Sequence, residues 1–312
     1  MPSITKKDRQ KTLSPCPSVT VAFPKNLTQT REVLFQLGHR PIHHWGQNFL
    51  IDHNIIEKSL GLANITTGDK VVEIGAGLGH LSGALLDRGA IVYAVEIDKR
   101  LGNYLTNQSI NTPRLQLLIG DAVCHPMGNK EKDHKPWKVV SNLPYSISTP
   151  WLDSLLDEED YPESMTLMLQ KETATRFMAT EGSKHFGAIS IRLQLHYEVA
   201  ATHAVSRHCF YPQPKVDSML LHLVRKDEAT PLDSETYRII RGLFTQRRKQ
   251  LQSSTKFYLP SEVTNPWGDY LERNGLSLGA RPEVIPLHCW QALARVLQHH
   301  GKKPSTHYDD PL

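Results

Sequence analysis

From Asp69 onward, short apolar runs alternate with longer stretches of helical spacing. The runs Val71–Ile74, Ile91–Val95, Leu115–Ile119, Lys138–Val140 and Met165–Leu169 predict buried strands. Between them, helical patterning predicts helices near 79–88, 98–107, 148–156 and 171–180. Such alternation implies right-handed crossovers and a doubly wound, mainly parallel sheet. Two further strands, about 198–205 and 216–224, have no obvious helix between them and are expected to pair antiparallel at one edge. Upstream, the pattern predicts a helix over about 28–37 and a loop through Pro41 to Phe49. A second helix follows, capped by Asp52, with Ile55, Ile56 and Leu60 on its apolar face. After Pro231 the character changes. Residues 234–301 read as helices only, broken at Pro260, Pro266, Gly275 and Pro282.

The expected organisation is a disordered basic tail at 1–25, an α/β domain at 26–230, a small helical domain at 231–301 and a frayed tail at 302–312. Composition agrees with a folded chain: 39% of the 312 residues are hydrophobic and 22% charged, which excludes global disorder. No apolar run approaches the roughly 18 residues that span a bilayer. The N-terminus has no apolar stretch of the kind that directs secretion, so a soluble, cytoplasmic protein is expected. Cys16, Cys124, Cys209 and Cys289 lie far apart with no CxxC pair, the pattern of reduced thiols. The sixteen histidines form no HExxH or Cys/His cluster, so no metal is expected.

Charge is more informative by position than in total. The net +4 is mild, but residues 1–45 hold seven Lys/Arg against two acids, and residues 236–258 hold six with no acid. Residues 153–163 carry six acids and no base. Two basic segments around an acidic middle suit a polyanion gripped from two sides, with Arg247, Arg248 and Lys249 as candidate contacts.

The first chemical motif, Glu73-Ile74-Gly75-Ala76-Gly77-Leu78-Gly79, ends a strand and opens a helix. Glycines there allow a sharp turn and close backbone approach to a ligand. Glu96 follows 21 residues after Gly75, at the next strand end, where a carboxylate can take both hydroxyls of a ribose. Asp121 ends the third strand, in reach of an adenine amino group. The third glycine comes one position early for a dinucleotide fingerprint. S-adenosylmethionine has a ribose and a charged amino-acid tail but no pyrophosphate, and fits this set better than NAD.

The fourth strand runs into Ser141-Asn142-Leu143-Pro144-Tyr145. An exocyclic aromatic amine is a poor nucleophile because its lone pair is delocalised. Two acceptors can help it: the Asn142 side-chain carbonyl and the Leu143 backbone carbonyl, held extended by Pro144. Tyr145 offers a stacking face. Phe210, ahead of the stiff Tyr211-Pro212-Gln213-Pro214-Lys215-Val216-Asp217-Ser218, is expected opposite it, so that the pair sandwiches an unstacked base.

Together these segments resemble the small-subunit ribosomal RNA adenine N6,N6-dimethyltransferases. The resemblance runs from about Thr30 to Leu297 and includes Gly46-Gln47-Asn48-Phe49-Leu50, the glycine turn, VEID, GDA and NLPY. It also takes in Gln170-Lys171-Glu172, the FYPQPKVDS stretch and Phe244 through Lys249. It implies a Rossmann-like class I methyltransferase domain with a small all-α C-terminal domain. It further implies a cofactor site of Asn48, Leu50, Gly75, Glu96, Asp121 and Asn142, and a target site of Asn142, Leu143, Tyr145 and Phe210. The implied substrate is a pair of adjacent adenosines near the 3′ end of small-subunit rRNA, in the immature subunit, met by a monomer. The alternatives are a large-subunit rRNA methylase, whose relatives usually carry isoleucine at the place of Leu143, and a non-catalytic assembly or transcription factor. The chain departs from the family in Pro41-Ile42-His43-His44-Trp45, where lysines are usual, and in Ala76, where proline is common.

Overall fold

The computed structural model describes residues 23–42, 46–110, 112–133, 135–228 and 232–300. Most of both expected tails, and His43, His44 and Trp45, lie outside them. Phe23 and Lys25 are described, and the Phe23 ring packs on the apolar cluster over Gly79 and Gly83.

Helices α1 (Leu27–Gln36) and α2 (His53–Leu62) flank a two-residue strand, β1 (Phe49–Leu50). Asp52 caps α2, as its place predicts, by accepting the N–H groups of Asn54 and Ile55. The five alternating strands follow: β2 (Lys70–Ile74), β3 (Ile91–Glu96), β4 (Leu115–Ile119), β5 (Lys138–Asn142) and β6 (Ser164–Gln170). Their crossover helices are α3 (His80–Asp87), α4 (Lys99–Ser109) and α5 (Ser148–Leu156). All five strands are parallel. After α6 (Lys171–Met178) and α7 (Ala188–His196) come β7 (Tyr197–Val205), β8 (Phe210–Tyr211) and β9 (Ser218–Arg225). The sheet order is β4-β3-β2-β5-β6-β9-β7. β7 and β9 do pair antiparallel, and β9 also runs antiparallel to β6, so the later strand sits inside the earlier one.

Successive residues of the central strands feed opposite faces, the period-two rule of a strand. Val71 and Val140 join the cluster under α1 to α4, while Val72 and Val139 join the one under α5 to α7. With both faces covered, the strands are near-continuously apolar, and that made them readable.

A third cluster holds α8 (Ser234–Thr245), α9 (Leu251–Tyr258), α10 (Ser261–Arg273) and α11 (Leu287–His300) together, with the Trp267 and Trp290 rings 5.5 Å apart. Helix α7 escaped the sequence reading. Ile189 and Leu193 face the sheet cluster, and Ala188, Ile191 and Leu195 face the helical cluster, so α7 is apolar on two sides and shows no single stripe. The expected break at Pro266 is also corrected. α10 runs through it, because Val263, Trp267 and Leu271 form one buried stripe across the proline, and their burial offsets the helix bond it removes.

Candidate active site

Strands β2, β3 and β4 wind one way from the middle of the sheet and β5 starts the other, so β2 and β5 bracket the topological switch point. Their carboxyl ends carry the glycine turn and Asn142. Gly75 and Gly77 have φ of 71° and 61°, left-handed backbone that favours glycine. Space requires it as well: a Cβ on Gly75 would stand 2.6 Å from Cγ of Pro144. The bare backbone thus lets the loop after β2 touch the loop after β5.

Glu96 reaches back into this turn from the end of β3. Its Oε2 accepts the Gly77 N–H at 2.7 Å and its Oε1 the Asp98 N–H at 2.9 Å. Burial to 5% exposure pushes its pKa up, and these bonds pull the other way. Each oxygen retains a lone pair for a ligand hydroxyl. Asp121 is exposed at the cleft and accepts the Val123 N–H at 2.8 Å.

The 46–50 loop forms the opposite wall, and its pairing partner is distant in sequence. β1 joins β8 antiparallel, Phe49 opposite Tyr211 and Leu50 opposite Phe210. Gln47 ties the loop inward: Oε1 accepts the Ile42 N–H at 2.8 Å and meets His39 Nε2 at 3.1 Å, while Nε2 donates to Asp98 Oδ2 at 3.0 Å. Asn48 offers its backbone carbonyl to Asn142 Nδ2 at 2.9 Å. With its amide nitrogen held there, Asn142 presents Oδ1 as its remaining acceptor.

Tyr145 lines the cleft, and its hydroxyl is bonded to Ser218 Oγ at 2.6 Å, so β9 fixes the ring. Burial pushes the phenol's pKa up. Asn48, Leu50, Gly75, Glu96, Asp121, Asn142 and Leu143 line the same cleft. Phe210 does not. It is 3% exposed and packed in the cluster beneath Leu50. Arg247, Arg248 and Lys249 follow α8, away from the cleft, and Arg247 is half-buried on Glu283 at 2.8 Å.

Several cleft groups went unassigned in the sequence. Glu73 is buried, accepts from Ser82 Oγ at 2.5 Å, and is pushed by burial up to about 8. His80 is held down to about 4 by burial and bonds Thr30 Oγ at 2.8 Å. Gln47 in the cleft and Ser218 behind it stood inside quoted motifs, and that was the one signal available for them.

The cleft chemistry selects the ligand. Glu73, Glu96 and Asp121 line it, and among the described residues no lysine or arginine does. The Gly77 N–H, a donor that a pyrophosphate would need, is already taken by Glu96. A cleft free of basic side chains, with a protein-filled glycine turn, suits a cationic sulfonium nucleoside. Fold and site therefore define an S-adenosylmethionine-dependent methyltransferase of the Rossmann-like class.

The sequence model of the family "Ribosomal RNA adenine dimethylase" matches residues 39–267. Ribosomal RNA small subunit methyltransferase A of Opitutus terrae is 50% identical over 274 residues, 87% of this chain and 98% of that protein. The protein of the same name from Geobacter sulfurreducens is 35% identical over 81% of this chain and 93% of its own. Among solved structures, a dimethyladenosine transferase from Plasmodium falciparum (TM-score 0.61, 23% identity, 80% of this chain and 97% of that one) shares the fold. So does the 23S rRNA methyltransferase ErmE (TM-score 0.56, 25% identity, 80% of this chain and 100% of that one). This chain belongs to the ribosomal RNA adenine dimethylase family, and its substrate is ribosomal RNA.

Proposed function

We propose that the protein dimethylates N6 of two adjacent adenosines in a hairpin loop near the 3′ end of small-subunit rRNA. In this reading it acts as a cytoplasmic monomer on the immature small subunit. The small-subunit target rests on 50% identity across nearly the whole of a relative bearing that name. No helix among the described residues is long and apolar enough to cross a membrane. Residues 26–230 serve as the methyltransferase domain and 231–301 as a helical RNA-binding domain, with α7 the wall they share.

The observation that carries the mechanism is the Asn142–Asn48 bond, which aims Oδ1 of Asn142 at the incoming base. S-adenosylmethionine, when bound, supplies an electrophilic methyl group on sulfur. Asn142 Oδ1 and the Leu143 carbonyl accept hydrogen bonds from the N6–H groups of adenine, two in the first transfer and one in the second; these bonds strengthen as the nitrogen pyramidalises, favouring the transition state, and each methyl gained releases one N6 proton to solvent. Tyr145, pinned by Ser218, stacks the base, while Phe210 supports that wall from beneath Leu50. Glu96 and Asp121 hold the nucleoside by its ribose and adenine, and Asn48, Leu50 and Gly75 complete the cradle.

The test is transfer of labelled methyl groups to undermethylated small subunits and to naked large-subunit rRNA, followed by nucleoside digestion. Label in N6,N6-dimethyladenosine of the small subunit alone is the expected result. Label on large-subunit rRNA would replace the target. Asn142→Ala should slow transfer by about 10²- to 10³-fold while cofactor binding is retained, and wild-type turnover would remove Asn142 from the mechanism.

A further inference from the structure

Outside the cofactor cleft, the molecule carries a second, more open trough of about 750 Å³. Lys171, Arg207 and Lys215 line it with His185 and His208, and Val216 adds an exposed apolar face at 48% exposure. The three cations are exposed, and among the described residues none of them has a carboxylate within ion-pair distance. Elsewhere the chain pairs many of its cations: Lys70 with Asp133, Lys138 with Asp69, Arg88 with Glu57. Charges left free in one trough are available to an outside anion. Glu172 and Asp217 also line the trough and offset part of this charge, leaving three cations against two carboxylates and the trough net positive. Asp217 Oδ1 accepts the Arg207 backbone N–H at 3.1 Å, and Glu172 is an acceptor suited to a 2′-hydroxyl.

Position supplies the second argument. Ser218, which holds the Tyr145 hydroxyl, is followed backwards along the chain by Asp217, Val216 and Lys215, all trough residues. The Lys171 N–H donates to the Asp217 carbonyl at 3.1 Å, so the wall at the head of α6 and the loop before β9 are one surface. The trough wall at Asp217 is therefore next in the chain to the serine that holds the stacking tyrosine.

We propose that this trough holds the single-stranded RNA backbone next to the target adenosine, with Lys171, Arg207 and Lys215 on its phosphates. The inference rests on the rRNA methyltransferase reading and adds the path of the substrate strand. Phosphate contacts of this kind set register and leave sequence choice to the base pocket.

The experiment compares wild type with the triple variant Lys171→Gln/Arg207→Gln/Lys215→Gln and with a control, Lys58→Gln/Lys132→Gln/Lys135→Gln, that removes as many exposed charges outside the cleft, the trough and the helical domain. Binding to an unmethylated hairpin carrying the target adenosines is followed against salt. At about 0.7 log unit per contact on single strands, the triple variant should lose about 2 from the slope of log affinity against log salt. Its KM for RNA should rise about tenfold, with kcat and S-adenosylmethionine affinity unchanged. An unchanged slope, or an equal loss in the control, overturns the trough. Weakened binding to whole particles with unchanged binding to naked RNA also overturns it, in favour of an acidic protein partner. A wild-type enzyme that methylates none of the RNAs would instead overturn the underlying reading, and it is seen before any variant is made.

Discussion

At Gln47 a single carboxamide joins three segments: the backbone at Ile42, the imidazole of His39 and the carboxylate of Asp98. Asp98 is 4% exposed, so removing the amide leaves a buried acceptor short of a donor. Gln47→Ala should cost about 1–3 kcal/mol in denaturant unfolding and weaken cofactor binding, since Asn48 and Leu50 ride on the same loop. Glu73 makes a prediction of opposite kind. Its folded pKa of about 8 lies above the ordinary 4.5, so between those values the folded state binds more protons than the unfolded. Stability therefore falls as pH rises through that window. Glu73→Gln should flatten the fall between pH 4.5 and 8, read as the difference between the two unfolding curves. Ser218→Ala should lower kcat by freeing the Tyr145 ring, with cofactor affinity unchanged because Ser218 is not in the cofactor cleft.

Helix α7 is where element and interface coincide. Its fully buried Arg192 donates to the carbonyls of Asp153 and Leu156, pairs with Asp157, and lies 4.2 Å over the Tyr237 ring of α8. Arg192→Ala should destabilise the protein by about 1–3 kcal/mol, because the Asp153 and Leu156 carbonyls lose their donor fork while the half-exposed Asp157 returns to water. Thermal unfolding that separates into two transitions would be the accompanying sign. That helix was invisible in the sequence for the reason that makes it matter: two clusters claim it, so no amphipathic stripe forms. Strands β2, β3, β5 and β6 were legible because burial on both faces leaves dense apolar runs, and the half-exposed edge strand β4 because its residues are apolar all the same. β1 and β8 have two residues each, too few to show any period, and only the motifs containing Leu50 and Phe210 marked them. In the site, Glu96 and Asn142 stood out by their places at strand ends. Their bonds to Gly77 and Asn48 belong to the folded geometry, which no spacing encodes.

Over the whole molecule the basic run of 236–258 divides into two kinds of charge. Arg241 lies near Asp153 and Arg247 binds Glu283, while Arg248 and Lys249 are exposed without a carboxylate in reach among the described residues. Arg248→Ala/Lys249→Ala should weaken RNA binding and flatten its salt dependence with little change in stability. Arg247→Ala should show mainly in unfolding, and equal effects of both variants on the salt slope would refute the division. The sheet order has a consequence for how the protein is made. β9 lies between β6 and β7 and is the strand that β7 pairs with, so a nascent chain ending at residue 205 leaves β7 without a partner and a gap of one strand in the sheet. The eight residues 218–225 close that gap, and their first residue is the serine that fixes the stacking tyrosine. A partly synthesised copy emerging beside ribosomal RNA thus has no anchored Tyr145, and competence for the substrate arrives together with completion of the sheet.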